Sequence, residues 1–120
     1  MGIGLSSPRG PILCKIGDLE RTGAKGVCVQ SASGWVDVVV VRDGTEIRAF
    51  ENRCPHLAIP LEVMPDRFLD ADRQTMVCSM HGARFSVKDG YCISGPCQGG
   101  WLRSVTICVD GDAVRLVWDA

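Results

Sequence analysis

The sequence predicts an all-β fold, an antiparallel sandwich or barrel that carries a loop-rich insertion. Short runs of β-branched and apolar residues recur at close spacing with turn residues between them. Asp-Gly pairs at Asp43–Gly44, Asp89–Gly90 and Asp110–Gly111 fall between such runs, where hairpins need a backbone that can reverse. No stretch shows the apolar period of a long helix.

The elements follow in order. Residues Met1–Pro11 are rich in Gly, Ser and Pro and read as a flexible N-terminal tail. Ile12–Ile16 is the first expected strand, and Gly26–Gln30 (GVCVQ) alternates as the second. Between them, Leu19–Lys25 has room for one helical turn. Trp35–Arg42 (WVDVVVVR) is the strongest strand and holds the longest unbroken apolar run, Val38–Val41. Asp43–Gly44 turns the chain into Thr45–Phe50 (TEIRAF). Arg84–Ile93 forms a further hairpin about Asp89–Gly90. Leu102–Val109 and Ala113–Trp118 (AVRLVW) form the last, about Asp110–Gly111. Residues 12–120 are expected to make one domain without internal repeats.

Composition narrows the function. The 120 residues, 46% apolar and 22% charged, suit one small soluble domain. A net charge of −1 without clustered Lys or Arg gives no nucleic-acid footprint. A four-residue apolar run is far too short to span a membrane, and the start has no secretory leader. Seven cysteines, an odd number with no leader, point to a reducing compartment and hence the cytoplasm.

The region Arg53–Gly100 has a different texture. It contains four of the seven cysteines and both histidines of the chain. Each histidine follows a cysteine, in Cys54-Pro55-His56 and in Cys78-Ser79-Met80-His81, with the 21 residues Leu57–Val77 between the pairs. Pro55 stiffens the first loop and Gly82 lets the backbone turn after the second. Two such loops side by side present two thiolates and two imidazoles, a donor set for tetrahedral zinc or an iron–sulfur cluster. Zinc fingers usually take one ligand type from each pair. One Cys and one His per loop suits a two-metal centre, with both cysteines on one iron and both histidines on the other.

The stretches NRCPHLAIPLE, VCSMHGARFSVKDG and SGPC resemble the Rieske domain family, and within it the 2Fe–2S ferredoxins of bacterial oxygenase systems. The resemblance runs from about Ile12 to Trp118 and is sharpest over residues 52–97. It implies a β scaffold with an inserted cluster-binding subdomain at about 53–100. It also implies that Cys54 and Cys78 hold a buried inner iron while His56 and His81 hold an outer iron near the surface. Gly95–Pro96 resembles the proline loop that shields the cluster. The 21-residue interval is a few residues longer than is common in ferredoxin-like members, with the excess within Glu62–Gln74.

On this resemblance the chain is a single-electron carrier and not an enzyme. It would take electrons from a flavoprotein or other ferredoxin reductase and deliver them to a terminal oxygenase. A small Rieske-fold subunit of a larger reductase, such as a nitrite reductase, is the second reading, and a structural zinc module the third. The respiratory relatives carry an interloop disulfide, for which Ile59 and Met80 offer no cysteines. An oxygenase would need further histidines for its catalytic iron, and both of these are taken. High-potential members place a serine and a tyrosine two and four residues after the second histidine ligand. Here those positions are Ala83 and Phe85, so a low potential is expected.

The remaining residues have plainer readings. Cys14, Cys28 and Cys108 fall on expected strands and read as core packing, as do Trp35 and Trp118. Trp101 follows Gly99–Gly100 and is expected to cap the barrel end. Cys92 and Cys97 lie closer to the ligand loops. Glu62, Asp66, Asp70 and Asp72, partly neutralised by Arg67 and Arg73, read as a solvated hairpin, with a docking patch for a basic partner as the alternative.

Overall fold

A run of four valines cannot alternate between core and solvent, and the fold gives this one no solvent face. The computed structural model describes residues 9–20, 22–31, 34–53, 69, 75–78, 83–95 and 99–117. In chain order its strands are β1 (Arg9–Lys15), β2 (Ala24–Ser31), β3 (Gly34–Asp43), β4 (Glu46–Glu51), β5 (Thr75–Val77), β6 (Arg84–Ser86), β7 (Cys92–Ser94), β8 (Ile107–Asp110) and β9 (Ala113–Val117). A single 3-10 turn, Ile16–Leu19, is the only helical element among the described residues. The fold is therefore all-β, as expected, and is built of three antiparallel sheets ordered β1-β9-β8, β2-β3-β4 and β5-β6-β7.

Strand β3 is central to the second sheet. It pairs with β2 from Ala24↔Val41 to Ser31↔Gly34 and with β4 from Val38↔Glu51 to Asp43↔Glu46. Its even and odd residues face opposite ways, as the strand period requires. Val38 and Val40 pack with Leu13, Leu19, Ala49, Val114 and Leu116, the core shared with the β1-β9-β8 sheet. Val39 and Val41 pack with Phe50, Met76, Cys78, Phe85 and Leu102, the core shared with the small β5-β6-β7 sheet. All four valines are 0% exposed, so one strand joins two cores.

The small sheet is held at a close seam. Gly90 has φ +79, and a Cβ placed on it would lie 2.9 Å from the Phe50 ring and 3.2 Å from Leu102 Cβ. The Leu102 N–H donates to the Gly90 carbonyl at 2.8 Å. Only glycine lets the β6–β7 hairpin come this near β4. Outside the strands proper, Leu69 bridges Met76, which adds one residue to the β5 edge.

Several elements differ from the expectations. Strand β1 starts at Arg9 rather than Ile12. The helical turn lies at Ile16–Leu19, before Leu19–Lys25; the Asp18 carboxylate accepts from the Lys15 N–H at 2.9 Å, and the buried Leu19 anchors it. In the β3–β4 and β8–β9 hairpins the Asp closes the strand, pairing as Asp43↔Glu46 and Asp110↔Ala113, so Gly begins the turn. The expected strand Leu102–Val109 is split. Its first part runs beside β4, with Glu51 N–H on the Arg103 carbonyl at 2.8 Å and Val105 N–H on that of Ala49 at 3.0 Å. Its second part is β8 in the other sheet, so this segment turns a corner between sheets.

Two side-chain expectations are corrected. Trp35 does not pack the core; it is 73% exposed. It shares the odd face of β3 with Val39 and Val41, but lies beyond the part of that face that carries Phe50 and the small sheet. Cys28 is exposed for the same reason, since it pairs with Asp37 on that uncovered stretch. Cys14 is buried as expected and Cys108 is half-buried. Trp118 falls outside the described residues.

The arrangement gives a stability test. Val40→Ala and Val39→Ala should each cost about 1–3 kcal/mol in chemical denaturation, because each opens a cavity in a closed core. Trp35→Ala should stay within about 0.5 kcal/mol of the parent. A Trp35 effect as large as that of the valines would contradict the exposure of that face.

Candidate metal centre

The second predicted ligand loop starts from β5. Thr75–Val77 pair with Arg84–Ser86, and the ladder gains one more bond, from the Cys78 N–H to the Ala83 carbonyl at 2.8 Å. This bond clasps the two ends of the segment 79–82. Cys78 therefore sits at the mouth of the β5–β6 hairpin and is the first residue of the Cys-x-x-His-Gly motif. Its side chain is 0% exposed, in one core with Met76, Ala83, Phe85 and Cys92. Phe85 and Ala83 are also 0% exposed, so both positions expected to bear on the potential lie in the core that backs Cys78.

The first predicted ligand loop leaves from the end of β4. Here Asn52 donates its N–H to the Asp37 carbonyl at 2.8 Å, and the Arg53 N–H turns back onto the Glu51 carbonyl at 2.8 Å. Asn52 is 7% exposed and is the one buried polar residue among those described. It precedes Cys54 by two positions. Sequence reasoning passed over it; the signal was a polar side chain closing an alternating strand just before Cys-Pro. Phe50, two residues earlier, belongs to the same core as Cys78, so the strands leading to both ligand loops rest on one apolar base.

Of the four predicted ligands, Cys78 is described, while Cys54, His56 and His81 fall outside the described residues. Among the described residues no group of three or more His, Cys, Asp or Glu comes together. Ile59, Met80, Pro96, Cys97 and the acidic positions 62, 66, 70 and 72 also fall outside. The five described cysteines make no disulfide with one another. The chemistry of Cys78 suits a metal-bound thiolate. A fully buried thiolate needs an adjacent cation to be stable, and an iron at the hairpin mouth would supply it.

Around the third motif, β7 and residues 99–101 run together. The Cys92 N–H donates to Gly100 at 2.8 Å, and Tyr91 bridges Trp101 with their rings edge-to-face at 4.8 Å. Trp101 is 56% exposed and lies on Tyr91. No helix among the described residues is long and apolar enough to cross a membrane.

Comparison with known proteins gives the family of this fold. The model of the Rieske [2Fe-2S] domain matches residues 11–109, most of the chain. The chain belongs to the Rieske domain family, and its cofactor is the family's 2Fe–2S cluster.

Solved structures share the fold. The ferredoxin of carbazole 1,9a-dioxygenase from Nocardioides aromaticivorans IC177 is 22% identical, with a TM-score of 0.69 over 95% of this chain and 100% of that one. A chain in the complex of reduced oxygenase and oxidized ferredoxin of carbazole 1,9a-dioxygenase is also 22% identical, with a TM-score of 0.70 over 93% and 94%. A putative NADPH nitrite reductase small subunit is 17% identical, with a TM-score of 0.61 over 89% and 96%. At these identities the likeness carries the fold alone. No curated protein sequence matches the chain.

The uncovered face of β3 has a chemical consequence. A hydrogen bond with Asp37, reinforced by desolvation and by the carboxylate charge, raises the Cys28 thiol above its ordinary value. The thiol thus stays protonated through neutral pH, and its thiolate fraction is small. Asp37→Ala removes the hydrogen bond and the charge, so it should speed iodoacetamide labelling of Cys28 at neutral pH, read by peptide mass mapping. An unchanged rate would show that Asp37 does not hold the proton.

Proposed function

We propose that this chain is a Rieske-type ferredoxin, an electron carrier in which Cys54, His56, Cys78 and His81 hold the 2Fe–2S cluster. The observation that carries the reading is Cys78, fully buried at the clasped mouth of a Cys-x-x-His-Gly hairpin in a chain of the Rieske family. Cys54 and Cys78 are the ligands of the inner iron, and His56 and His81 those of the outer one. Residues 53–100 are the cluster-binding subdomain of a single domain spanning 12–120. When bound, the cluster would supply one-electron chemistry.

The chain's own residues supply the rest. The core of Met76, Phe85 and Cys92 excludes water from the thiolate side. The clasp between Cys78 and Ala83 orients the second ligand pair. Both histidines of the sequence are ligands on this reading, so it holds none for a separate mononuclear iron site. The ferredoxins of similar fold, which the chain covers over nearly their whole length, favour a carrier over an enzyme. A flavoprotein or other ferredoxin reductase is the electron donor and a terminal oxygenase the acceptor. The carbazole dioxygenase ferredoxins of similar fold, one of them solved with its oxygenase, support that choice. The match to a nitrite reductase small subunit supports the second reading, a subunit of a larger reductase. Stable co-purification with a large subunit would decide for it.

Cys54→Ser and Cys78→Ser should each abolish iron and sulfide retention, because a hydroxyl is a poor ligand for this iron. Cys14→Ser and Cys108→Ser should leave both unchanged. Full stoichiometry in Cys78→Ser would end the ligand assignment.

The reduction potential gives a second test. Ala83 and Phe85 offer no hydroxyl to the cluster, and donors there would stabilise the extra negative charge of the reduced state. The midpoint should lie near the low end of the Rieske range, roughly −150 mV. Ala83→Ser and Phe85→Tyr should each raise it. A wild-type midpoint above zero in redox titration would show that another feature sets the potential.

A further inference from the structure

The β6–β7 ladder ends at the pair Arg84↔Ser94, and the next residues on the two strands are Ala83 and Gly95. Gly95 has φ +99, and a Cβ built on it would lie 2.6 Å from Ala83 Cα, 3.1 Å from Ala83 Cβ and 3.2 Å from Ala83 N. The obstacle is backbone, which cannot swing aside as a flexible side chain does. Ala83 is 0% exposed, and its carbonyl accepts the Cys78 N–H. One residue thus receives the clasp of the ligand hairpin on one side and the bare backbone of Gly95 on the other.

We propose that Gly95 is a positioning residue for the metal centre. Its missing side chain lets the segment leaving β7 brace Ala83, and this brace holds the mouth of the Cys78–His81 hairpin closed. The proposal rests on the assignment of Cys78 and His81 as ligands. Any side chain at 95 forces one of the two backbones to retreat. Retreat of Ala83 lengthens the bond to Cys78, loosens the ligand pair and admits water. Gly99 provides an internal control. It has a similar φ of +92, but a Cβ there meets nothing within 4 Å, so substitution at 99 brings the backbone strain without the collision.

The test uses the purified, cluster-loaded full chain as wild type, Gly95→Ala and Gly99→Ala. Iron loss to a chelator should be about tenfold to a hundredfold faster in Gly95→Ala, the range for losing support behind a metal ligand. Gly99→Ala should match the wild type. In Gly95→Ala molecules that keep the cluster, the midpoint potential should rise, because water stabilises the reduced state. Amide protection of β3 and β4 should be unchanged. Failure of Gly95→Ala to hold any cluster, with that protection intact, is the limiting form of the expected result.

Three results would overturn the proposal: equal iron loss in Gly95→Ala and wild type, equal loss in Gly95→Ala and Gly99→Ala, or collapse of β3–β4 protection in Gly95→Ala. A wild type without iron and sulfide would instead defeat the ligand assignment itself.

Discussion

Val38–Val41 have no face for water, and the two cores on either side of the central strand follow from that constraint. Val38 and Val40 need the β1-β9-β8 sheet to cover them, while Val39 and Val41 need the small sheet. Among the described residues the small sheet is three strands of three residues each, and its apolar face needs cover from elsewhere. It borrows its floor from β3 and from Phe50 on β4. The Gly90 seam then fixes how near the small sheet can come.

Both segments proposed to bear ligands start from strand ends that share the core under the small sheet, β4 for the first and β5 for the second. Strand ends anchored in a packed core are stiff supports for the segments that follow them. The clasp at Cys78–Ala83 and the turn at Asn52–Arg53 are where rigid scaffold passes into ligand loop. Reduction adds negative charge beside buried apolar residues, so a support that keeps its shape lowers the reorganisation that accompanies electron transfer.

Much of the fold was legible because β-branched runs and Asp-Gly turns act locally. The β3–β4, β6–β7 and β8–β9 hairpins all stand where those signals put them. The four valines were legible as a strand but not as a strand between two cores, because coverage of a face is decided by distant elements. Trp35 shows the cost: its apolar character pointed inward, while the small sheet stops short of it. Strand β5 went unread because Thr75–Val77 is too short for a period and owes its state to pairing with β6. Leu102–Val109 read as one strand since nothing local marks a change of sheet. The paired Cys–His motifs made the family legible, as the Rieske [2Fe-2S] domain match over residues 11–109 shows. The contact of Gly95 with Ala83 was invisible because it joins residues 12 positions apart in the sequence.

The central claim is mixed ligation, two thiolates and two imidazoles on one cluster. With only two histidines in the sequence, isotopic labelling of histidine nitrogen reports on His56 and His81 and nothing else. Pulsed EPR of the chemically reduced, labelled protein measures whether those nitrogens bind the paramagnetic centre. Two strong, inequivalent histidine nitrogen couplings are the predicted result. A reduced cluster with no histidine coupling, or a colourless protein that holds zinc and gives no signal, would contradict the account.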